Sequence, residues 1–275
     1  MRRMMVAPDG REVAIWHNND GVRLVELATH TTRTLAVLGE IDVAFVGDDL
    51  LVRNASGLRR FDRATLTCRH DEPLATGARL FGGLGAYAVV TTGDATTQLE
   101  ADPTRRTTIP CDPVVRWVHP GDQGTLVLVG ATAVAIWDRT QPATVRASAL
   151  RIPDGARASG TCGQLRSMWF LTERGTLEVQ RIADGRARAV EVPGSVSEVW
   201  SHPLSSWLVV RVDDQLHRLT LATGRSEPFA SDIPPAQAIV LEGLEAHLLQ
   251  DTTEGVHRVN IAGTRPDRVE ARRAP

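Results

Sequence analysis

Short stretches of apolar residues alternating with polar ones, separated by clusters of Gly, Asp, Asn and Pro, make up nearly all of this chain. Alternation of this kind turns one side of an extended strand toward a core, and the cluster residues allow tight reversals. In the first 38 residues the stretches are Arg3–Ala7, Glu12–His17, Val22–Ala28 and Arg33–Val37. The pattern predicts four consecutive antiparallel strands, and helical periodicity is nearly absent.

The same pattern of turn and strand recurs along the chain at a nearly constant interval. Its best copies begin at Gly21, Gly57, Gln215 and Gly255, and weaker copies begin near Ala95, Thr132 and Gly175. The steps between these seven positions average about 39 residues. A period in this range is typical of solenoids, propellers and arrays, and four short strands per period indicate a β-propeller. A large sandwich or barrel is the alternative, but it accounts for the strand density and not for the regular spacing.

We therefore predict an all-β fold, a single seven-bladed β-propeller of four-stranded antiparallel blades that fills residues 1–275. The predicted blades are residues 1–38, 39–76, 77–112, 113–154, 155–194, 195–234 and 235–275.

Composition narrows the function classes. The net charge is −2 with a pI near 6.5, which argues against a bulk basic field for nucleic acid. Cys68, Cys111 and Cys162 are widely spaced, without the paired spacing of a zinc site or a disulfide framework. The longest apolar run is too short to span a membrane. We expect a cytoplasmic protein with no cofactor, no metal site and no membrane partner.

Several short motifs resemble those of WD-repeat-like bacterial β-propellers. Ala7–Ala14 is similar to the turn between the first two strands of such blades, and Ile136-Trp137-Asp138 is similar to the end of a third strand. Leu219–Gly224 resembles the exit from that strand in the same family. The resemblance implies a rigid platform for protein–protein contact, because most such propellers serve as platforms and a minority are hydrolases, lactonases or lyases.

The predicted turns carry most of the candidate binding residues, and their charges separate by turn type. Turns between second and third strands carry the acidic candidates Asp20, Asp94, Glu173, Asp213, Asp214, Asp251 and Glu254. Turns between third and fourth strands, expected on the opposite face, carry the basic candidates Arg33, Arg63, Arg105, Arg106, Arg139, Arg186, Arg188 and Arg225. Charge-complementary docking of a partner is one interpretation, and ordinary solvated loop charge is the other.

Histidine and tryptophan are the remaining candidates for chemistry. His119 and His202 occupy matching points of two repeat units, so the repeat explains them as structural homologues. No serine lies in a nucleophile-elbow motif, which gives no sequence support for a catalytic triad. The six tryptophans fall mostly within predicted strands, where core packing explains them.

These observations predict a non-enzymatic module that binds another protein in a bacterial cytoplasm, as scaffold, adaptor or inhibitor of a regulatory or signalling component. The alternative is a propeller hydrolase or lactonase with a site in the central channel.

Overall fold

The computed structural model describes residues 3–18, 20–82, 87–93, 95–111, 115–201, 204–228, 238–242, 245–252 and 255–260, with only the backbone described from residue 238 onward. The chain divides into two compact units. The first is residues 1–118 with two short additional segments, and the second contains most of the remainder.

The fold is an all-β propeller with six four-stranded antiparallel blades, each formed by four strands consecutive in sequence. Blades 1 to 3 comprise β1 (Arg3–Val6), β2 (Glu12–His17), β3 (Gly21–Glu26) and β4 (Thr32–Leu35), then β5 (Asp42–Val46), β6 (Asp49–Asn54), β7 (Gly57–Asp62) and β8 (Cys68–Glu72), then β9 (Arg79–Phe81), β10 (Tyr87–Thr91), β11 (Thr96–Glu100) and β12 (Arg106–Ile109).

Blades 4 to 6 repeat the arrangement. They comprise β13 (Trp117–Pro120), β14 (Thr125–Val129), β15 (Val134–Asp138) and β16 (Val145–Ala147), then β17 (Ala156–Cys162), β18 (Ser167–Thr172), β19 (Leu177–Arg181) and β20 (Ala187–Arg188), then β21 (Val196–Trp200), β22 (Trp207–Val212), β23 (Gln215–Thr220) and β24 (Arg225–Pro228).

The prediction of seven four-stranded blades is wrong, because the residues that the structure describes form six four-stranded sheets. The described residues after blade 6 form a three-stranded antiparallel sheet of β25 (Ala238–Glu242), β26 (Glu245–Thr252) and β27 (Gly255–Asn260). The repeat at Gly255 marks a hairpin, and a hairpin repeats without requiring a fourth strand. The predicted last strand falls outside the described residues.

Burial within a blade follows strand order. The second strands β10 and β18, for example, are buried at every position, which is the pattern of central strands covered on both sheet faces. The fourth strands are short, polar and exposed, as in β8 and β20. Short charged outer strands protect the sheet edges from pairing with other chains.

Apolar clusters join successive blades inside each unit. In the first unit, Trp16 and Leu24 of blade 1 pack with Val43 and Phe45 of blade 2. In the second unit, Trp169 and Val179 of blade 5 pack with side chains of blade 6 that include Leu208, Val210 and Leu219. Each fully buried side chain of this size contributes roughly 1.5–3 kcal/mol, so these clusters supply much of the fold's stability.

One turn conformation recurs between third and fourth strands. Its four copies are Leu27-Ala28-Thr29-His30, Arg63-Ala64-Thr65-Leu66, Ile182-Ala183-Asp184-Gly185 and Leu221-Ala222-Thr223-Gly224. The last residue of each copy has a φ between 56° and 71°, and its amide donates to the carbonyl four residues earlier. Glycine adopts this left-handed conformation without strain, whereas His30 and Leu66 pay a steric cost. The predicted strand-exit motif corresponds to this turn.

Candidate functional site

The acidic candidates that the structure describes lie at the ends of hairpins between second and third strands. Asp20, Glu173, Asp213 and Asp214 are exposed there. Asp251 lies in β26, where only the backbone is described, while Asp94 and Glu254 lie outside the described residues. In the second unit, the hairpins of blades 5 and 6 therefore present three carboxylates to solvent.

Asp213 and Asp214 form the two-residue loop of the β22–β23 hairpin, which Val212 and Gln215 close as a pair. Their φ angles are 46° and 68°, as in the type I′ turn that matches the twist of paired strands. Aspartate accepts this conformation less readily than the Asn-Gly pair usually found there, so the loop stores strain of order 1 kcal/mol per residue. Gly194 packs closely against Asp213, since a Cβ at Gly194 would lie 2.1 Å from the carboxylate.

The Glu173 turn of blade 5 is held by the loops beside it. The Glu173 amide donates to the Gly155 carbonyl at 2.8 Å, and the Val196 amide donates to the Gly175 carbonyl at 2.9 Å. The Ser195 hydroxyl approaches the carbonyl of Arg174, which is the one cation within this turn, at 3.4 Å. These hydrogen bonds hold the Glu173 turn in a fixed position at the surface.

Most of the basic candidates lie close to carboxylates of the same chain, which the spacing of residues in the sequence does not predict. Arg33 pairs with Glu12 and also donates to the carbonyls of Arg63 and Ala64 in the next blade. Arg63 pairs with Asp9 and Glu12. The predicted basic surface is therefore largely neutralised here, and these arginines join blades 1 and 2.

The remaining arginines show the same tendency. Arg106 pairs with Glu72, and Arg105 lies 3.6 Å from Asp102. Arg188 donates to the Leu221 carbonyl at 3.1 Å, and the exposed Arg225 lies 3.8 Å from Glu191. Arg139 is half-buried and Arg186 is exposed. Their participation in partner binding stays a prediction, as does that of the acidic candidates.

Core packing explains three of the six tryptophans, because Trp16, Trp137 and Trp169 are at most 6% exposed. Two others stack with arginine in blade 6. The Arg211 guanidinium lies 5.5 Å from the Trp200 ring centroid, and that of Arg218 lies 5.4 Å from the Trp207 ring. The Arg211 side chain is only 12% exposed and also pairs with Glu198 at 3.0 Å, and both tryptophans are half-buried, so the stacks are chiefly packing contacts.

His119 contacts a serine of the next blade. Its Nε2 lies 2.8 Å from the Ser159 hydroxyl oxygen, across the first strands of blades 4 and 5. Burial lowers the pKa of His119 to about 4, so the ring is neutral near pH 7. Its predicted homologue His202 lies outside the described residues. No sequence motif indicated the pairing of His119 with Ser159, since the two residues are 40 positions apart, in different blades.

His217, in β23, is a second histidine with a lowered pKa, and it is more fully buried than His119. It is 5% exposed and lies opposite Val210, against the apolar cluster of blades 5 and 6. Burial lowers its pKa, and the carboxylate of Asp213 opposes that shift. This histidine therefore favours the neutral form and adds no positive charge to the acidic hairpin at neutral pH.

No protein-family model matches the sequence, and a search of curated proteins finds no relative. Solved structures do match it in fold. The β-propeller domain of Cps50 (Swd1) from Myceliophteria thermophila, a WD40 propeller, gives a TM-score of 0.65 at 11% identity, covering 93% of this chain and 95% of that one.

Two other matches come from larger proteins. The dihydro-heme d1 dehydrogenase NirN, solved in complex with DHE, gives a TM-score of 0.62 at 16% identity over 94% of this chain. PorZ, a surface component of the type-IX secretion system of Porphyromonas gingivalis, gives 0.64 at 17% identity over 99% of this chain. This chain spans 62% and 38% of their respective lengths. The similarity shows a propeller fold that binding proteins and an enzyme share.

Proposed function

We propose that this protein binds another protein, and that the hairpin ends of blades 5 and 6 are part of the binding surface. The role would be that of scaffold, adaptor or inhibitor of a regulatory or signalling component, in a bacterial cytoplasm. The observation that carries the proposal is a contrast in charge pairing. Five of the eight basic candidates lie within 4 Å of a carboxylate of this chain, while the side chains of Glu173, Asp213 and Asp214 are exposed to solvent.

The acidic hairpins suit docking for two reasons. Hydrogen bonds to Gly155 and Gly175 hold the backbone of the Glu173 turn, and Gly194 packs against the Asp213 side chain, so little conformational entropy is lost when a partner binds. The exposed carboxylates on these turns would attract a basic segment of the partner protein and raise its rate of association. They would also repel acidic competitors.

The proposal is tested by stoichiometric capture of a partner from the native host, followed by affinity measurement with the purified pair. A triple variant, Glu173→Gln/Asp213→Asn/Asp214→Asn, should weaken binding at least tenfold. Raising the salt concentration from 0.1 to 0.5 M should weaken wild-type binding, because it shortens the range of charge interactions.

A charge-matched control is Asp71→Asn/Asp102→Asn/Asp122→Asn, which removes three exposed carboxylates from blades 2, 3 and 4. This variant should bind as wild type does. Failure to recover any stoichiometric protein partner, or equal losses in the two triple variants, would contradict the proposed surface.

A further inference from the structure

A serine hydroxyl and a histidine ring are held together on the first strands of two neighbouring blades. The Ser159 oxygen on β17 lies 2.8 Å from Nε2 of His119 on β13, within the second compact unit. A hydroxyl within hydrogen-bond reach of a neutral imidazole is the arrangement that activates a serine nucleophile. The acidic hairpins use neither residue.

The surroundings allow reagents to reach the pair and fix its orientation. Both side chains are partly exposed. The strand register shifts between Ala156 and Ala158, immediately before Ser159. Such bulges re-aim side chains and are frequent next to active sites. The next residue, Gly160, lies directly against the Trp169 ring, where a Cβ would approach within 2.6 Å, so tight packing limits movement of this part of β17.

The protonation state is also suitable. Burial lowers the pKa of His119 to about 4, so the ring is neutral at pH 7, and in the tautomer protonated on Nδ1 its Nε2 lone pair can accept the hydroxyl proton. The same burial makes it a weaker base than a solvent-exposed histidine, and activated electrophiles with good leaving groups suit such a base better than amides do.

We propose that Ser159 is a nucleophile, with His119 as its base, toward small activated acyl esters and organophosphorus electrophiles. Oγ attacks the acyl carbon while its proton passes to Nε2, and the ester bond to the leaving alcohol breaks as Nε2 returns the proton to that alcohol. Water from solvent then hydrolyses the acyl-serine with His119 again accepting the proton, which restores Ser159 and releases the acid. With a fluorophosphonate, the P–F bond breaks and fluoride leaves.

A fluorophosphonate probe and p-nitrophenyl acetate test this inference on the full chain. Mass spectrometry of the labelled peptides should place the phosphonate on Ser159. Ser159→Ala should abolish that label, and His119→Gln should slow it at least tenfold. Ser197→Ala removes a first-strand serine of blade 6 whose hydroxyl faces the Arg211 carbonyl, so its labelling should match wild type. Labelling should persist down to about pH 5, because His119 remains neutral there.

Folding of each variant is checked by circular dichroism and a thermal melt. If Ser159→Ala does not fold, Ser159→Cys keeps a side chain of similar size, and its alkylation by iodoacetamide should be faster with His119 present than with Gln. Absence of label on Ser159 in folded wild type, or equal labelling of wild type and His119→Gln, would overturn the inference. Neither outcome bears on partner binding, so the two proposals fail separately.

Discussion

Replacing Arg60 by Met is expected to destabilise the first unit far more than the same change at Arg59, its neighbour on β7. The Arg60 side chain is 6% exposed and pairs at 3.0 Å with Asp49, which is 7% exposed. It also donates to the carbonyls of Glu100, at 2.7 Å, and Ala101, so it joins blade 2 to blade 3. By contrast, Arg59 pairs with Asp71 at the surface.

The expected loss of unfolding free energy depends on whether each substitution leaves a buried charge without a partner. Removing one partner of a buried ion pair typically costs 3–5 kcal/mol, because the remaining charge is buried without compensation. Asp49 would keep Arg69, which lies 2.9 Å away but is 52% exposed. We therefore expect a loss of about 3 kcal/mol for Arg60→Met, near the lower limit of that range. Loss of the surface pair in Arg59→Met should cost below about 1 kcal/mol.

Urea denaturation followed by tryptophan fluorescence and by circular dichroism measures both variants. The double variant Asp49→Leu/Arg60→Met removes the stranded carboxylate, so it should be more stable than Arg60→Met alone by at least about 1 kcal/mol. Equal unfolding free energies for the Arg60 and Arg59 variants would show that the contact between blades 2 and 3 contributes no more to stability than a surface ion pair.

Three further expectations concern stability. The pKa of His119 is lowered from 6.5 to about 4, so this histidine takes up a proton in the unfolded chain before it does so in the folded protein as the pH falls. The free energy of unfolding should therefore decline between pH 6.5 and about pH 4, by up to about 3 kcal/mol. In urea titrations, His119→Gln should remove that part of the pH dependence. His30→Gly relieves a φ of 58° at an exposed turn position and should raise the unfolding free energy by roughly 0.5–1 kcal/mol; a loss would show that the turn is not strained. Gly160→Ala places a Cβ against the Trp169 ring and should disturb the hydrogen bond from Trp169 to Ser201. The free energy of unfolding should fall by about 1–3 kcal/mol, and the tryptophan fluorescence should shift. An unchanged melting curve would argue against this packing.

Local structure follows closely from the sequence because it depends on neighbouring residues. The predicted strand Glu12–His17 matches β2 at both ends, and Pro8-Asp9-Gly10 does connect the first two strands. The Leu219–Gly224 motif corresponds to a turn whose final residue must accept positive φ. Alternation and turn chemistry specify these features without knowledge of the rest of the chain.

The blade count and the candidate site depend on contacts between distant residues, which spacing alone does not define. The repeat predicted a seventh four-stranded blade from the hairpin at Gly255, although the hairpin determines only two strands. The pairing of Arg33 with Glu12 and its contact with Ala64 depend on how adjacent sheets stack. Predicting a basic surface from the arginines of the turns alone therefore overestimated how much positive charge remains unpaired at the surface.

Hydrogen–deuterium exchange of the captured complex shows whether the partner docks on the acidic hairpins of blades 5 and 6. Amides around Glu173 and Asp213–Asp214 should exchange more slowly in the complex than in the free protein. The turns Arg63–Leu66 and Asp102–Arg105 should exchange at the same rate in both. Protection confined to those third-to-fourth-strand turns, with none at the acidic hairpins of a stoichiometric complex, would contradict the claim.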